Sequence, residues 1–286
     1  MSGCDSRSIR RWIPPPNYLL AALLVIGALG FSSGHANSRG ASPQTGPFRI
    51  GELLTYRVDW QKYSGAAEAE LAVVNRENFY GRPSWHFRAT LRTLEPARAI
   101  YPLDGQVDSY ASFDGLSTIR YQQRLREFGK PYESDLEFIS PGYAPFGGWT
   151  RVIVPPGTRD PLSAIYSLRQ VDWRRVAEVR IPVYDGDDLY DMIAEREGSQ
   201  EIRLAAGEVP AMPIAIRLLE SGREVADEHF QIWFARDAAQ TPVAFEAQLS
   251  VGTVRAELTS NLDAPNTSPH ETPLNPPARS SRPAEN

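Results

Sequence analysis

The sequence predicts a mainly β protein: an antiparallel, curled sheet or partly closed barrel with one central helix near residues 160–170. Apolar and polar residues alternate with period two in run after run, as half-buried strands require. Turn signals containing glycine separate these runs, and only one segment shows helical spacing. About a dozen strands are expected. A sheet of that size should curl, because a flat one leaves long edges and one wet face.

The strands follow one another from the beginning of the predicted domain. The apolar faces of the clearest ones are formed by Leu54, Tyr56, Val58 and Trp60; by Trp85, Phe87, Ala89 and Leu91; by Ile214, Ile216 and Leu218; by Phe230, Ile232 and Phe234; and by Val243, Phe245, Ala247 and Leu249. Hairpin turn signals lie between the runs, at Asp114-Gly115, Phe128-Gly129, Asp185-Gly186, Ala206-Gly207 and Ser221-Gly222. This order predicts hairpin connections throughout.

One segment breaks the strand pattern. Asp160 is a favourable N-cap residue, and Pro161 suits the first helical position. Leu162, Ile165 and Tyr166 then recur at helical spacing. A helix with one apolar face can plug a curved sheet, so we expect these three side chains to be buried against the concave face.

The start of the chain has the features of an export signal. Residues 7–11 hold three arginines, and residues 18–31 form an uncharged run too short to span a bilayer comfortably. We predict a signal peptide over 1–36 with cleavage after Ala36, and an uncleaved signal anchor is the alternative. The only cysteine, Cys4, precedes the apolar run. Neither lipoprotein attachment nor a disulfide is therefore expected in the mature protein.

Composition suggests how the rest of the chain is organised. We predict a flexible leader over 37–46, one β domain over 47–262 and a disordered tail over 263–286, where apolar residues are too few to offset the entropy of ordering. The formal net charge of −5 gives no reason to expect a nucleic-acid partner. No transmembrane segment is expected after signal cleavage, and the sequence leaves the oligomeric state open.

Three segments share a distinctive order and spacing. They are Phe48-x-x-Gly51-Glu52-x-Leu54-x-Tyr56-x-Val58-x-Trp60, Asp160-Pro161-Leu162-Ser163-x-x-Tyr166-x-Leu168-Arg169 and Ile232-Trp233-x-x-x-Asp237-x-x-x-x-Pro242-Val243. Together they resemble the exported bacterial domain of unknown function 3108 family (DUF3108). The resemblance implies a Gram-negative periplasmic location and a partly closed barrel, similar in general shape to lipocalin-like and lipoprotein-carrier folds. It implies no activity and supplies no catalytic residues.

The sequence contains no familiar motif for a nucleophile, a zinc site or a phosphate-binding loop, and no cofactor is expected. His86 and His229 fall on the polar faces of strands, where we expect solvated or hydrogen-bonded histidines rather than a shared metal or an acid–base pair. Asp185, Asp187 and Asp188 are weak candidates for calcium ligands. Their spacing does not match an EF-hand loop, so a solvated hairpin turn is the interpretation we favour.

Paired carboxylates keep a glycan hydrolase as a less favoured alternative. Such an enzyme needs one acid with a raised pKa and one ionised partner across a cleft. The candidate carboxylates are Glu52, Glu68, Glu70, Asp108 and Glu137. The sequence does not say whether any two converge, so we assign no catalytic residue and expect that the protein is not an enzyme.

Aromatic residues exceed what a thin sheet needs. Ordinary core packing is the plain explanation, but a partly closed barrel that is not filled leaves an apolar pocket. The ligand-binding candidates are Trp60, Trp85, Phe87, Tyr166 and Trp233. We therefore predict a non-catalytic periplasmic protein that binds an apolar, lipid-like or other envelope ligand in a concave β pocket. The alternative is an assembly or scaffolding factor that contacts another envelope protein.

Overall fold

A computed structural model describes residues 47–79, 81–140, 150–205, 207–225, 229–249 and 252–259. The strands in these residues are β1 Leu53–Trp60, β2 Tyr63–Phe79, β3 Arg82–Thr93, β4 Leu103–Ser112, β5 Thr118–Glu127, β6 Lys130–Ile139, β7 Thr150–Ile153, β8 Glu178–Tyr184, β9 Leu189–Arg196, β10 Gln200–Leu204, β11 Gly207–Glu220, β12 Arg223–Glu224, β13 His229–Ala235, β14 Pro242–Leu249 and β15 Gly252–Leu258. The α-helix, α1, is Pro161–Leu168, and a 3₁₀ helix covers Ala97–Ala99. The predicted signal peptide over 1–36, leader over 37–46 and tail over 263–286 lie outside the described residues.

All these strands belong to one sheet with the order β7-β6-β5-β4-β3-β2-β1-β15-β14-β13-β11-β9-β8, and β10 and β12 each pair with β11. The pairings between strands are antiparallel, except that β6 and β7 run parallel. Gly129, Gly186 and Gly222 have positive φ in the predicted turns. Tight hairpins favour this conformation, and glycine adopts it without steric penalty. The prediction of a mainly antiparallel, curled sheet is confirmed.

The sheet curls without a continuous ladder between its first and last strands, β7 and β8. The segment after β7 reaches β8 instead: Arg159 N–H donates to the carbonyl of Pro182, and Tyr184 N–H donates to the carbonyl of Arg159, each at 2.9 Å. Phe138 of β6 and Tyr184 of β8 also meet edge to face, with centroids 5.6 Å apart. We call this contact of β5 and β6 with β8 the seam.

α1 lies across one end of the curled sheet, which we call the helix end. Its N-cap is the predicted one, since Asp160 Oδ1 accepts the N–H groups of Leu162 at 2.8 Å and Ser163 at 2.9 Å. All eight helical residues are buried. The prediction of a single buried face was too narrow, because the helix lies inside the curl, with β3 and β4 on one side and β8 on another.

The opposite end of the sheet, which we call the distal end, includes three neighbouring chain reversals. They are the β1–β2 turn at 61–62, the connection from β3 to β4 at 94–102 and the β5–β6 turn at 128–129. In the antiparallel register these reversals lie at the ends of their strands that point away from α1. The concave side between the two ends is lined by the apolar face of every long strand, and the convex side carries most of the charged residues.

Candidate functional site

The helix end is filled by interlocked aromatic rings. Phe87 and Tyr166 stack with centroids 3.9 Å apart and planes 8° from parallel. Phe48 meets Trp85, Phe87 and Tyr166 edge to face at 5.1, 5.4 and 5.3 Å. Three predicted ligand-binding candidates, Trp85, Phe87 and Tyr166, are therefore brought together. They pack against one another and against Phe48 as part of the core, not around an open pocket as the sequence suggested.

A buried ion pair holds this end closed. The Arg169 side chain is fully buried, and its guanidinium donates to the two carboxylate oxygens of Glu52 at 2.5 and 3.0 Å. It also donates to the backbone carbonyls of Pro47 and Ala239. Burial alone lowers the pKa of Arg169, but the hydrogen bond and charge of Glu52 outweigh burial and raise that pKa above its usual value. Glu52, one of the glycosidase candidates, is thus engaged in a structural pair.

Asp160 is the second buried acid at this end. Besides capping α1, it accepts hydrogen bonds from the hydroxyls of Ser109 and Thr118 through Oδ2. Its complete burial raises its pKa despite these donors. Because both oxygens already accept hydrogen bonds from the fold, the geometry assigns Asp160 to positioning α1 against β4 and β5.

Aromatic residues at the distal end form a second, partly exposed group. The ring of Trp60 lies 6.0 Å from Tyr63 and 6.3 Å from Tyr101, and Tyr101 meets Phe128 edge to face at 5.1 Å. Trp60, Tyr63 and Tyr101 are half-buried, Phe128 is 55% exposed, and the neighbouring Ile100 is 51% exposed. We call these five residues the distal cluster. Of the predicted ring residues, only Trp60 belongs to it.

An apolar row runs beneath the distal cluster on the concave side. Cross-strand pairing aligns its members, which are Ala69, Leu91, Gly105, Leu125 and Tyr132. Ala69 and Leu91 are buried, Leu125 is partly buried against the core, and Tyr132 is 40% exposed. The apolar lining therefore continues outward from the core until it reaches solvent.

Most of the distal cluster does not follow from the sequence pattern. Phe128 belongs to a turn signal, and Ile100 and Tyr101 lie in a connection with no strand alternation. One signal was available, since a phenylalanine directly before a turn glycine is unusual in a position where hairpins favour asparagine or aspartate.

Trp233 requires a correction. Phe230, Ile232 and Phe234 occupy the concave face of β13, so alternation places Trp233 on the convex face. Its ring is buried beneath the Arg255 guanidinium, 5.0 Å from the ring centroid. Trp233 therefore cannot line a concave pocket together with the other predicted residues.

His86 is also buried, not solvated, on the convex face. Its Nε2 lies 2.7 Å from Asp108 Oδ1, and its ring stacks on Tyr110. Burial raises the pKa of Asp108, but the hydrogen bonds of His86 and Gln106 and the charge of Arg88 outweigh it and lower that pKa to about 2. The expectation of a hydrogen-bonded strand histidine thus agrees with this geometry.

His229 lies in a different part of the sheet. It is exposed and borders a shallow convex groove of about 290 Å³. β2, β1, β15 and β14 separate its strand from that of His86. The two histidines therefore form no joint site.

The remaining glycosidase candidates do not converge on the concave side. Glu68, Glu70, Asp108 and Glu137 all occupy convex positions of their strands. Glu70 accepts a hydrogen bond from the Thr90 hydroxyl at 3.1 Å. The structure therefore gives no support to an acid pair across a concave cleft.

Asp185 lies in the seam, and the expectation of a solvated turn is wrong for this residue. Its Oδ1 accepts the N–H groups of Asp187 and Asp188, both at 2.8 Å, while the amide of Gln123 in β5 donates to its backbone carbonyl. Burial raises the pKa of Asp185 to about 6.

Within the described residues, no group of three or more His, Cys, Asp or Glu side chains could hold a metal ion.

A known protein family matches most of this chain. The family model described as "Protein of unknown function (DUF3108)" matches residues 55–259. No curated protein matches the sequence significantly. Among the part of the chain that the structure describes, no helix has the length and apolar character needed to cross a membrane.

Three solved structures illustrate the structural neighbours. A beta-barrel-like protein of the domain of unknown function DUF1849 from Brucella abortus is 8% identical, with a TM-score of 0.42 and coverage of 72% of this chain and 94% of that chain. A candidate lipoprotein from Parabacteroides distasonis is 11% identical, with a TM-score of 0.34 and coverage of 74% and 95%. A candidate exported protein with a YmcC-like fold from Bacteroides fragilis is 8% identical, with a TM-score of 0.28 and coverage of 74% and 96%.

Proposed function

We propose that this chain, which belongs to the DUF3108 family, is a non-catalytic periplasmic protein. It binds an apolar, lipid-like molecule through the distal end of its sheet. The observation that carries the proposal is the continuity between the distal cluster and the apolar row beneath it. An exposed apolar surface that leads into a concave apolar lining is typical of small-molecule sites in curled and barrel-like sheets.

The contrast between the two ends selects the distal one. At the helix end, a ligand would have to displace the stacked Phe87 and Tyr166 rings and separate Arg169 from Glu52. Breaking a buried ion pair is strongly unfavourable, because it leaves a charge without a partner. At the distal end, Trp60, Tyr101 and Phe128 already expose apolar surface to solvent, so a ligand gains burial there without displacing packed groups.

The side chains of the apolar row favour a hydrocarbon-like ligand. Ala69 and Gly105 are small, Leu91 and Leu125 are aliphatic, and none of them is charged. Burial of apolar area against such a lining is favourable. The lining offers no partner to an ionised group, which would therefore remain at the solvent-exposed edge. A molecule with an apolar chain and a polar end fits this arrangement.

A scaffolding role is the second candidate. It is favoured by Ile153 in β7, which is 83% exposed in a strand at the end of the sheet order. An apolar side chain on an edge strand offers a protein partner both backbone hydrogen bonds and apolar contact. Ile153 pairs with Ile139, at the end of β6 away from the distal cluster, so substitutions can separate the two roles.

Titration of the exported protein with a fluorescent acyl-chain probe tests the proposal. We expect micromolar binding that Leu125→Gln weakens about tenfold or more, because the row would then carry an unpaired amide. Ile153→Ser serves as the matched control and should leave probe affinity unchanged. Thermal melts of each variant show whether the fold persists.

Two outcomes would overturn the binding role. One is the absence of saturable probe binding to the folded protein. The other is equal loss of affinity in Leu125→Gln and Ile153→Ser, which would mean that the distal row has no special part. Co-purification of an envelope protein that is lost in Ile153→Ser would instead support the scaffolding role.

A further inference from the structure

Phe128 takes an unfavourable backbone conformation and gains little burial from it. Its φ is 48°, in the left-handed region that bulky residues rarely adopt. Its N–H donates to the carbonyl of Pro102, and the ring leans edge to face on Tyr101 while remaining 55% exposed. Folding alone favours asparagine or glycine at this position. A strained and exposed aromatic residue points to a contact outside the chain.

The other exposed apolar groups of this end stand around Phe128. Ile100 directly precedes Tyr101 in the chain, and Tyr132 lies in β6, two residues after Lys130. Trp60 and Tyr63 form the half-buried layer behind them. Tryptophan and tyrosine behind aliphatic and phenylalanine tips are typical of surfaces that enter the interfacial region of a bilayer.

The positively charged side chains of the distal end also suit a bilayer surface. The chain contains only two lysines, Lys62 and Lys130. Both are exposed at the distal end, Lys62 in the β1–β2 turn and Lys130 at the start of β6, two residues after Phe128. Lys62 Nζ lies 5.5 Å from the centroid of the Tyr63 ring. A lysine can bury its stem in an interface while its ammonium group meets phosphate.

Two carboxylates that lie three residues from the lysines in sequence are engaged within the fold. Glu127 accepts the hydroxyl of Tyr101, and Asp59 accepts the N–H of Gly65 at 2.7 Å and the hydroxyl of Ser64 at 3.0 Å. These contacts hold the acidic side chains against their own turns. The side chains of Lys62 and Lys130, in contrast, are exposed to solvent.

We infer that the distal end docks on a bilayer surface that carries anionic headgroups. Phe128 and Ile100 enter between the headgroups, and Lys62 and Lys130 contact their phosphates. The inference deepens the proposed function, on which it rests, because a lipid-like ligand would then enter at the end that meets its source. The docking contact itself uses the tips of the reversals, whereas the proposed ligand site uses the apolar row beneath them.

Vesicle co-sedimentation of the exported protein tests the docking. Phosphatidylcholine vesicles containing phosphatidylglycerol should bind the protein, and phosphatidylcholine vesicles alone should bind it much more weakly. Phe128→Asn should weaken binding about tenfold, because it removes the inserted ring. Lys62→Gln with Lys130→Gln should weaken it about tenfold or more and remove most of its salt dependence.

Two control variants match these changes at other places on the surface. Ile153→Ser removes the most exposed aliphatic group of the described residues, and Arg174→Gln with Arg175→Gln removes two exposed cations beyond α1. Both should retain vesicle binding, apart from a small loss from the changed net charge. Because asparagine tolerates the φ of residue 128, we expect Phe128→Asn to remain folded, and a thermal melt of the variant checks this.

The results separate docking from ligand binding. Probe binding without vesicles, combined with no preference for anionic vesicles, would overturn the docking inference and leave the proposed function intact. Vesicle binding without probe binding would do the reverse. Sedimentation showing a dimer of the native protein that Phe128→Asn dissociates would also overturn docking, because the tips would then contact a second copy of the chain.

Discussion

The helix end and the distal end are built by the same strands but differ in what covers their apolar faces. β3 carries Trp85 and Phe87 into the packed rings at the helix end and then continues to Leu91 in the row beneath the distal cluster. At the helix end, α1 and Phe48 cover that face. At the distal end, the described residues that cover it are the chain reversals, and rings such as Phe128 remain exposed.

Strand alternation therefore specifies which face of a strand is apolar, but not whether that face becomes core or contact surface. A face covered by another element of the chain becomes core, and the same kind of face left partly uncovered becomes a surface for contact. We therefore expect substitutions at the helix end to lower stability, and substitutions at the distal end to spare stability while they weaken binding. Substitutions at each end test this division.

Glu52→Ala should have the largest effect. It leaves the guanidinium of Arg169 buried without its anion, which should lower the free energy of unfolding by about 3–5 kcal/mol. Urea denaturation measures this. Glu52→Leu combined with Arg169→Leu should cost less than the single change, because no buried charge remains. A single variant as stable as the native protein would show that the pair does not hold the helix end.

Ile165→Ala should come next. Ile165 is 3% exposed within α1, and truncating a buried isoleucine typically costs about 2–5 kcal/mol. The matched control is Ile153→Ala, which should change stability by less than about 0.5 kcal/mol because its side chain is exposed. If denaturation curves of the two variants coincide, α1 is not an integral plug of the helix end.

The seam, where β5 and β6 contact β8, should respond to pH through Asp185. Its pKa of about 6 lies above the value of about 3.9 expected in the unfolded chain. The folded state therefore binds the proton more tightly. This contribution is fully present below pH about 4 and is lost as pH rises to about 6, for a total of roughly 2–3 kcal/mol.

Asp185→Asn isolates that contribution. The asparagine carbonyl can still accept the N–H groups of Asp187 and Asp188, but the side chain cannot ionise. We expect the variant to be more stable than the native protein at pH about 7 and to lose this part of the pH dependence. Urea denaturation at several pH values measures both effects. Parallel stability curves for the two proteins would contradict the assignment to Asp185.

Phe128→Asn should have the smallest effect on stability. Its sign should be opposite to that of the substitutions at the helix end. Replacing a bulky residue at φ of 48° by asparagine relieves strain, so the free energy of unfolding should stay equal or rise by up to about 1 kcal/mol. Thermal and urea denaturation check this beside the vesicle measurement. A marked loss of stability would place Phe128 in the core and end the distinction between the two ends.

Much of the local structure could be predicted from the sequence. The alternating faces of β1, β3 and β13 are formed as expected, and Asp160 caps α1 through the predicted backbone N–H groups. These features depend on neighbours a few residues apart, where side-chain direction and hydrogen bonding follow directly from spacing.

The candidate site was predicted less well. Trp60 was placed with Trp85, Phe87 and Tyr166 because all are large and aromatic, yet it belongs to the other end of the sheet. Asp185 was expected in solvent because hairpin turns are usually exposed, but this turn is pressed against Gln123 of β5. Such contacts depend on which distant strands curl together, and period-two alternation carries no information about that.

Local sequence is sufficient to predict the strands, most of their turns, the capped helix and the apolar character of the concave side. These properties arise from local spacing and from the preference of apolar groups to leave water. The tertiary structure alone decided that Phe48 and α1 fill one end, that Arg169 finds Glu52, and that Phe128 stands exposed at the other. Those outcomes require curling of the whole sheet, because curling folds the segment that carries Phe48 and Glu52 onto α1 and Arg169, more than a hundred positions away along the chain.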